Sequence, residues 1–358
     1  MIPVTILTGF LGSGKTTLLK RILTEKHGMK IAVIENEFGE ENIDNEILVQ
    51  EQAEQIVQMS NGCICCTIRG DLARALGDLA TRKRAGEIAF DRVVIETTGL
   101  ANPGPVAQTF FMDSEVGDAF LLDAIITLVD AKHANAQLDQ HEVVQRQVGF
   151  ADRLFITKSD LVDEATLADL RHRLVHMNPK AAIKVVNFGD ADIKEIFDLR
   201  GFNLNAKLEI DPDFLAEDDH DHDHDHAHAH DHGHDHEHCD HDHGHCEHEG
   251  HAHHHHAHHD DRIKSFVYRN DRPFDPNKLE DFLGGVLQIY GERLLRYKGV
   301  LYMKGVDRKV VFQGVHQMMG SDLAAKWLPI EKKTNKMVFI GIDLPQDLIT
   351  DGLDACLA

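Results

Sequence analysis

Hydrophobic residues fall in short, evenly spaced runs along the first half of the chain. Val4, Ile6 and Leu7 make the first run, and residues 30–34, 55–59, 92–95, 121–129, 153–156 and 183–186 repeat it, each rich in aliphatic positions and bounded by glycine or charge. Such runs predict fully buried strands of a parallel sheet. Between them apolar residues recur every three or four positions, as in Leu18, Leu19, Ile22 and Leu23, and predict helices over 15–26, 71–84, 133–147 and 164–176. Strands alternate with helices, so the pattern predicts an α/β domain whose mostly parallel sheet is covered on both faces.

The pattern stops near residue 205 and resumes at 262 in a different form. Strands over 263–268, 293–303, 309–313 and 337–342, a helix over 278–289 and a closing helix from Pro345 give the order β-α-β-β-(α)-β-α. That order predicts a small α+β domain of ferredoxin-like type. Residues 206–216 read as a loose connection, and 218–261 collapse into His, Asp, Glu, Ala and Gly. Such a tract cannot bury a core and is predicted to lack a fixed fold without metal. The chain therefore divides into 1–205, 206–261 and 262–358.

The formal charge of −23 changes meaning once the tract is set aside. Residues 217–261 carry 15 of the 60 carboxylates and none of the 37 Lys and Arg, which leaves −8 on the rest. That is an ordinary acidic surface, and it argues against nucleic-acid and membrane-surface partners. No run of about 18 apolar residues predicts a membrane span, and no basic, cleavable leader opens the chain, so the expected location is cytoplasmic. Of six cysteines, Cys63, Cys65 and Cys66 lie within four residues, which suits a metal or redox site better than a disulfide framework.

The candidate chemistry clusters at strand ends. After the first run stands G-F-L-G-S-G-K-T, Gly9 to Thr16, with a helix directly behind it. Gly9, Gly12 and Gly14 let backbone N–H groups turn inward around phosphate oxygens, Lys15 reaches the β- and γ-phosphates, and the Thr16 hydroxyl ligates Mg²⁺. The run at 92–95 ends in Glu96-Thr97-Thr98-Gly99, a carboxylate that would hold Mg²⁺ through water and a glycine that would sense the γ-phosphate. Lys15, Thr16 and Glu96 are thus the candidate catalytic residues. The run at 153–156 ends in Thr157-Lys158-Ser159-Asp160, where Asp160 would pair with guanine N1–H and the exocyclic amine and the Lys158 stem would pack along the base.

Three thiols at Cys63, Cys65 and Cys66 can converge on one soft cation, and a following helix N-terminus would favour thiolate. Zinc prefers four S and N donors, so one position stays open for Glu, His, water or a partner's ligand. The acidic loop 35–41, with Glu35 and Glu40, is a candidate to complete it; a plain solvated loop is the other reading. Histidine fills 21 of the 42 positions 220–261, among them His222, His224 and His226, and imidazole suits Zn, Cu, Co and Ni. The isolated His27, His133, His141, His172, His176 and His316 read as surface or capping residues.

Together G-F-L-G-S-G-K-T-T, I-E-N-E-F-G-E, N-G-C-I-C-C, V-I-E-T-T-G and T-K-S-D resemble the CobW family of P-loop GTPase metallochaperones. The resemblance implies a nucleotide domain akin to the nickel-insertion GTPases of hydrogenase and urease maturation. It implies slow GTP hydrolysis coupled to delivery of a divalent metal, most often zinc, to a client metalloprotein, and a second copy of the chain is a further expected partner. It would place Gly12, Ser13, Gly14, Lys15, Thr16 and Thr17 on the phosphates and Mg²⁺. Lys158 and Asp160 would read guanine with 187–189, led by Asn187, closing over the base. Cys63, Cys65 and Cys66 would hold the transferred metal beside Glu35 or Glu40. Zinc-linked relatives carry an N-terminal docking motif, for which a chain starting at its first strand leaves no room. One alternative is a cobalt (Co²⁺) chaperone for cobalamin synthesis, although thiolate softness and the Irving–Williams order favour zinc. Another is a non-enzymatic zinc buffer, against which the intact Lys15, Thr16 and Asp160 argue.

Overall fold

The computed structural model describes residues 1–35, 68–202, 261–329 and 331–358. The apolar runs become six parallel strands: β1 (Ile2–Gly9), β2 (Ile31–Glu35), β3 (Arg92–Glu96), β4 (Phe120–Asp130), β5 (Arg153–Thr157) and β6 (Ala182–Val185). Their order is β2-β3-β1-β4-β5-β6. β1 pairs with β3 on one side and β4 on the other, so its carboxyl end opens where the sheet's strand order reverses, the place where open α/β sheets bind ligands. The predicted strand at 55–59 lies outside the described residues.

Seven α-helices accompany these strands among the described residues: α1 (Lys15–Thr24), α2 (Ile68–Arg84), α3 (Pro103–Met112), α4 (Ser114–Ala119), α5 (Ala134–Gln140), α6 (Glu142–Phe150) and α7 (Glu164–Met177). α3 and α4 stand where the apolar pattern predicts no element. Pro103 and Pro105 resemble breakers, but at a helix start a proline loses no hydrogen bond, and the Asn102 side chain caps α3 by accepting from Gly104 N at 3.0 Å. Asp113 caps α4 in the same way, accepting from Glu115 N and Val116 N, both at 3.0 Å. The single helix predicted over 133–147 is two, because His141 is extended (φ −131°, ψ 107°) and α6 starts afresh behind it.

The second sheet is antiparallel, with β7 (Ile263–Asn270), β8 (Leu294–Leu301), β9 (Arg308–Val315), β10 (Met318–Lys326) and β11 (Asn335–Ile342) in the order β10-β9-β8-β11-β7. Helices α8 (Pro276–Tyr290) and α9 (Gln346–Ala355) complete it. β7-α8-β8 is a βαβ unit split by β11, as in ferredoxin-like domains, and β8-β9-β10 is a meander. β10 corrects the expected order, which has a bracketed helix at this point. It is an edge strand paired only to β9 and exposed along most of its length, so its sequence lacks the apolar alternation that betrays the others.

Burial explains how the two sheets relate. Residues of β11 alternate: Met337 and Phe339 pack with Leu279, Leu283, Ile349 and Leu353 of α8 and α9, while Val338 and Ile340 join the core that holds α3, α6 and α7. Those three helices therefore lie between the sheets. Leu7, Leu18, Leu19, Ile22 and Phe155 form the core on the other face of the parallel sheet, under α1.

The contact between the sheets has a polar centre. Arg296 of β8 is buried, forms an ion pair with Asp152 at 2.8 Å, donates to the Phe150 carbonyl at 2.9 Å and stacks on Phe202. At its margin, Arg173 of α7 holds Asp261 at 2.6 Å. His316 corrects the surface reading: it is buried, edge-on to Phe150, with its ring against Gly104 at the start of α3. Burial pushes its imidazole toward the neutral form, outweighing the hydrogen bond to Gly291 O.

Candidate functional site

β1 ends in Gly9 (φ +140°), where a Cβ would lie 2.4 Å from Leu128 O of the neighbouring strand, so the loop can start only with glycine. Gly14 (φ +97°) is the N-cap of α1 and offers no side chain to its N–H groups, and the first turn of α1 holds no acidic residue. Four N–H groups and the positive end of the dipole are therefore left for an anion. Ser13 is buried, and its Oγ meets no partner among the described residues. An orphaned hydroxyl beside an uncapped helix start fits a phosphate oxygen.

Lys15 Nζ donates to Gly9 O at 2.9 Å and Phe10 O at 3.1 Å. Burial lowers its pKa, and the Glu96 carboxylate opposes that shift. Thr16 Oγ1 donates to Glu96 Oε1 at 2.9 Å. The hydroxyl and carboxylate are hard oxygen donors brought together from α1 and β3, and this pair fits Mg²⁺. Beyond Glu96 the chain is braced: Thr97 N donates to Leu7 O and Thr97 Oγ1 to Thr8 Oγ1. Gly99 lies so close to Leu11 of the phosphate loop that a Cβ would be 2.6 Å from Leu11 N. The wholly buried Gln147 of α6 donates to Gly99 O at 3.0 Å and Ala101 O at 3.1 Å.

The T-K-S-D loop is fixed residue by residue. Thr157 Oγ1 donates to Ser13 O at 2.9 Å, Lys158 Nζ to Asp130 Oδ2 at 2.7 Å, and Ser159 N to Asn187 Oδ1 at 3.0 Å. Asp160 is left exposed. Asn187, expected over a base, engages Ser159 with both ends of its amide. Phe188 follows with a left-handed backbone (φ 53°) and 79% exposure, and Gly189 lies against Leu18 and Thr17 of α1. The sequence reading missed Asp130 and Gln147. A lone acid at the carboxyl end of the apolar strand β4 was the available signal for Asp130; nothing marks a glutamine inside a helix.

The metal candidates are not brought together in the described residues. Cys63, Cys65, Cys66, Glu40, His222, His224 and His226 lie outside them, and of Glu35 only the backbone place is described, level with Glu96 at the end of β2. Among the described residues no three His, Cys, Asp or Glu side chains converge as a metal site, and no helix is long and apolar enough to cross a membrane.

The fold, with its phosphate loop behind the central strand and its base loop two strands away, is that of a P-loop GTPase. Residues 3–185 match the CobW/HypB/UreG nucleotide-binding domain and 263–357 the CobW C-terminal domain, and the chain belongs to the CobW family. It is 40% identical over 351 residues to the zinc chaperone YjiA of Escherichia coli, covering 97% of this chain and 96% of that one. It is 32% identical over 393 residues to the zinc chaperone CobW of Pseudomonas aeruginosa, covering 100% and 92%. The crystal structure of Zn(II)-bound YjiA superposes with a TM-score of 0.73 at 34% identity, over 100% of this chain and 99% of that one. A Zn(II)-bound YjiA with a glutamate and two cysteines replaced by alanine gives 0.74.

Proposed function

We propose that the protein hydrolyses GTP to control the loading of zinc at Cys63, Cys65 and Cys66 and its release to a client metalloprotein. The observation that carries this reading is the convergence of two chain ends on one sheet edge. β2 ends at Glu35, level with Glu96. The last turn of α2 lies by Ile2, at the start of β1, so its first turn, at Ile68, points to the opposite edge, where the phosphate loop is. The cysteines belong to the connection between those two ends, and Cys66 precedes Ile68 by two residues. Soft thiolates suit zinc, relatives named as zinc chaperones support it as the cargo, and Glu35 and Glu40 are candidate oxygen ligands.

In this reading Lys15 leaves the carbonyls of Gly9 and Phe10 for phosphate oxygens, and Thr16 and Glu96 would hold Mg²⁺. Mg²⁺ supplies charge neutralisation on the phosphates. Bound GTP orders 35–41 and 96–99 and so shapes the thiolate site; hydrolysis relaxes both. The histidines of 206–261, His222, His224 and His226 among them, raise the local metal concentration beside it.

Two measurements test this. Asp160→Asn removes a carboxylate that accepts two hydrogen bonds from guanine, and should weaken GTP by about 30- to 100-fold; equal affinity of the unmodified protein for GTP and ATP would contradict the base assignment. Zinc affinity, read by competition with a chromogenic chelator, should differ between GDP and a non-hydrolysable GTP analogue by about 5- to 150-fold. GTP affinity must shift by the same factor on adding zinc, because linkage is reciprocal. Cys65→Ser should erase the coupling and leave metal-free GTP binding in place. Identical zinc affinities in every nucleotide state would mean that the thiolates are structural.

A further inference from the structure

Asp130 has no part in phosphate or metal binding, yet it is built like a functional carboxylate. Its side chain is 2% exposed at the carboxyl end of β4, beside β1. Oδ2 accepts from Lys158 Nζ at 2.7 Å and faces His133 Nδ1 at 3.1 Å, and Oδ1 accepts from Lys132 N at 3.0 Å. Burial alone would push the carboxyl up; the hydrogen bonds from Lys158 and His133 outweigh it and hold the group ionised.

The partner is as unusual. Lys158 has a left-handed backbone (φ 55°, ψ 31°), a strained conformation for a side chain of this size that persists only where the surroundings fix it. Its neighbours are fixed too, Thr157 to the phosphate loop and Ser159 to Asn187. Three successive residues are thus tied to three different elements, and the fourth, Asp160, projects from that frame. A lysine arm left free would sample many rotamers over the surface; this one, 38% exposed, is drawn down onto a buried anion.

We propose that Asp130 is a positioning residue for nucleotide recognition: by tying Lys158 Nζ it lays the lysine stem as a fixed floor under the purine and sets the height at which Asp160 meets the base. The proposal rests on the reading of Thr157 to Asp160 as the base-binding loop. Phosphate contacts lie on the other side of Thr157 and do not depend on Asp130.

The test is a double-substitution cycle in the full-length protein with Asp130→Asn, Lys158→Met and the pair, titrated with GTP, ATP and inorganic tripolyphosphate. Asp130→Asn should weaken GTP about tenfold, leave tripolyphosphate unchanged, and add nothing further in the Lys158→Met background. A general loss of structure would weaken tripolyphosphate as much as GTP, and an additive double variant would mean that Asp130 does not act through Lys158; either result overturns the proposal. If Asp130→Asn fails to fold, Lys158→Met decides alone, since it alters a part-exposed side chain: GTP binding as tight as in the unmodified protein overturns the assignment, and a tenfold loss confined to nucleotide supports it. A lack of GTP-over-ATP preference in the unmodified protein would refute the guanine reading separately, and the cycle is then read with ATP by the same criteria.

Discussion

Exchanging Lys15 for alanine should reduce GTP turnover by about 10³-fold. The ammonium is enclosed by its own loop and held by two carbonyls, Gly9 O and Phe10 O, while desolvation already disfavours its charge. A cation held in that way gains more from phosphate oxygens than from the carbonyls it leaves, and it gains most when charge builds on the phosphates in the transition state. Alanine removes that difference and leaves the loop's glycines and α1 in place, so the protein should still fold. Zinc uptake proposed for residues 218–261 should be unaffected, because it needs no phosphate loop. Phosphate release under single-turnover conditions is the measurement, and a normal rate would remove Lys15 from the chemistry.

Arg296→Ala should cost about 3–5 kcal/mol of stability, the usual consequence of removing one member of a buried ion pair. Asp152 would keep its hydrogen bond from Ile125 N at 2.9 Å and its attraction to Arg153 but lose the guanidinium that it touches. The carbonyls of Phe150 and Gly201 would lose donors at the same time, and Phe202 its stacking partner. Arg296→Lys should recover little, since one ammonium cannot reach all three acceptors as the guanidinium fork does. Thermal and denaturant unfolding of the two variants would check this; an unchanged midpoint for Arg296→Ala would show that the pair contributes nothing net.

The parallel sheet was legible because β1, β3, β4 and β5 are buried on both faces and read as apolar runs, while the exposed edge strand β6 keeps only a short one, and the phosphate loop because its glycines, lysine and threonine admit few other uses. What escaped notice has physical causes. β10 lies at an edge with water on most of its length, so no alternation betrays it. α3 begins at a proline that looks like an ending, and its cap, Asn102, is legible only once a helix is suspected. The break at His141 leaves no mark, because an extended residue between two helices needs no special side chain. Within the site, Thr16 donates to Glu96, and Glu96 lies close enough to Lys15 to act on its charge. Asn187 is placed at the base loop, but its amide braces Ser159. Asp130, Gln147 and Arg296 act through partners 28, 48 and 146 residues away in sequence, and no local pattern encodes such distances.

α6 is a wall with two tenants. From one side Gln147 holds the backbone of the glutamate-to-glycine loop; from the other Gly149 fits against Leu295 and Ile263, Gln145 meets Ile263 N, and Phe150 supports His316. The loop after Glu96 and the antiparallel sheet thus lean on the same nine residues. A fragment ending before residue 261 would strip that wall and uncover Gly149 and Phe150, which Leu295, Ile263 and His316 now cover. Residues 261–358 therefore belong in any fragment that keeps α6 covered on both sides, and whatever loads the second sheet bears, through that one helix, on the loop after Glu96.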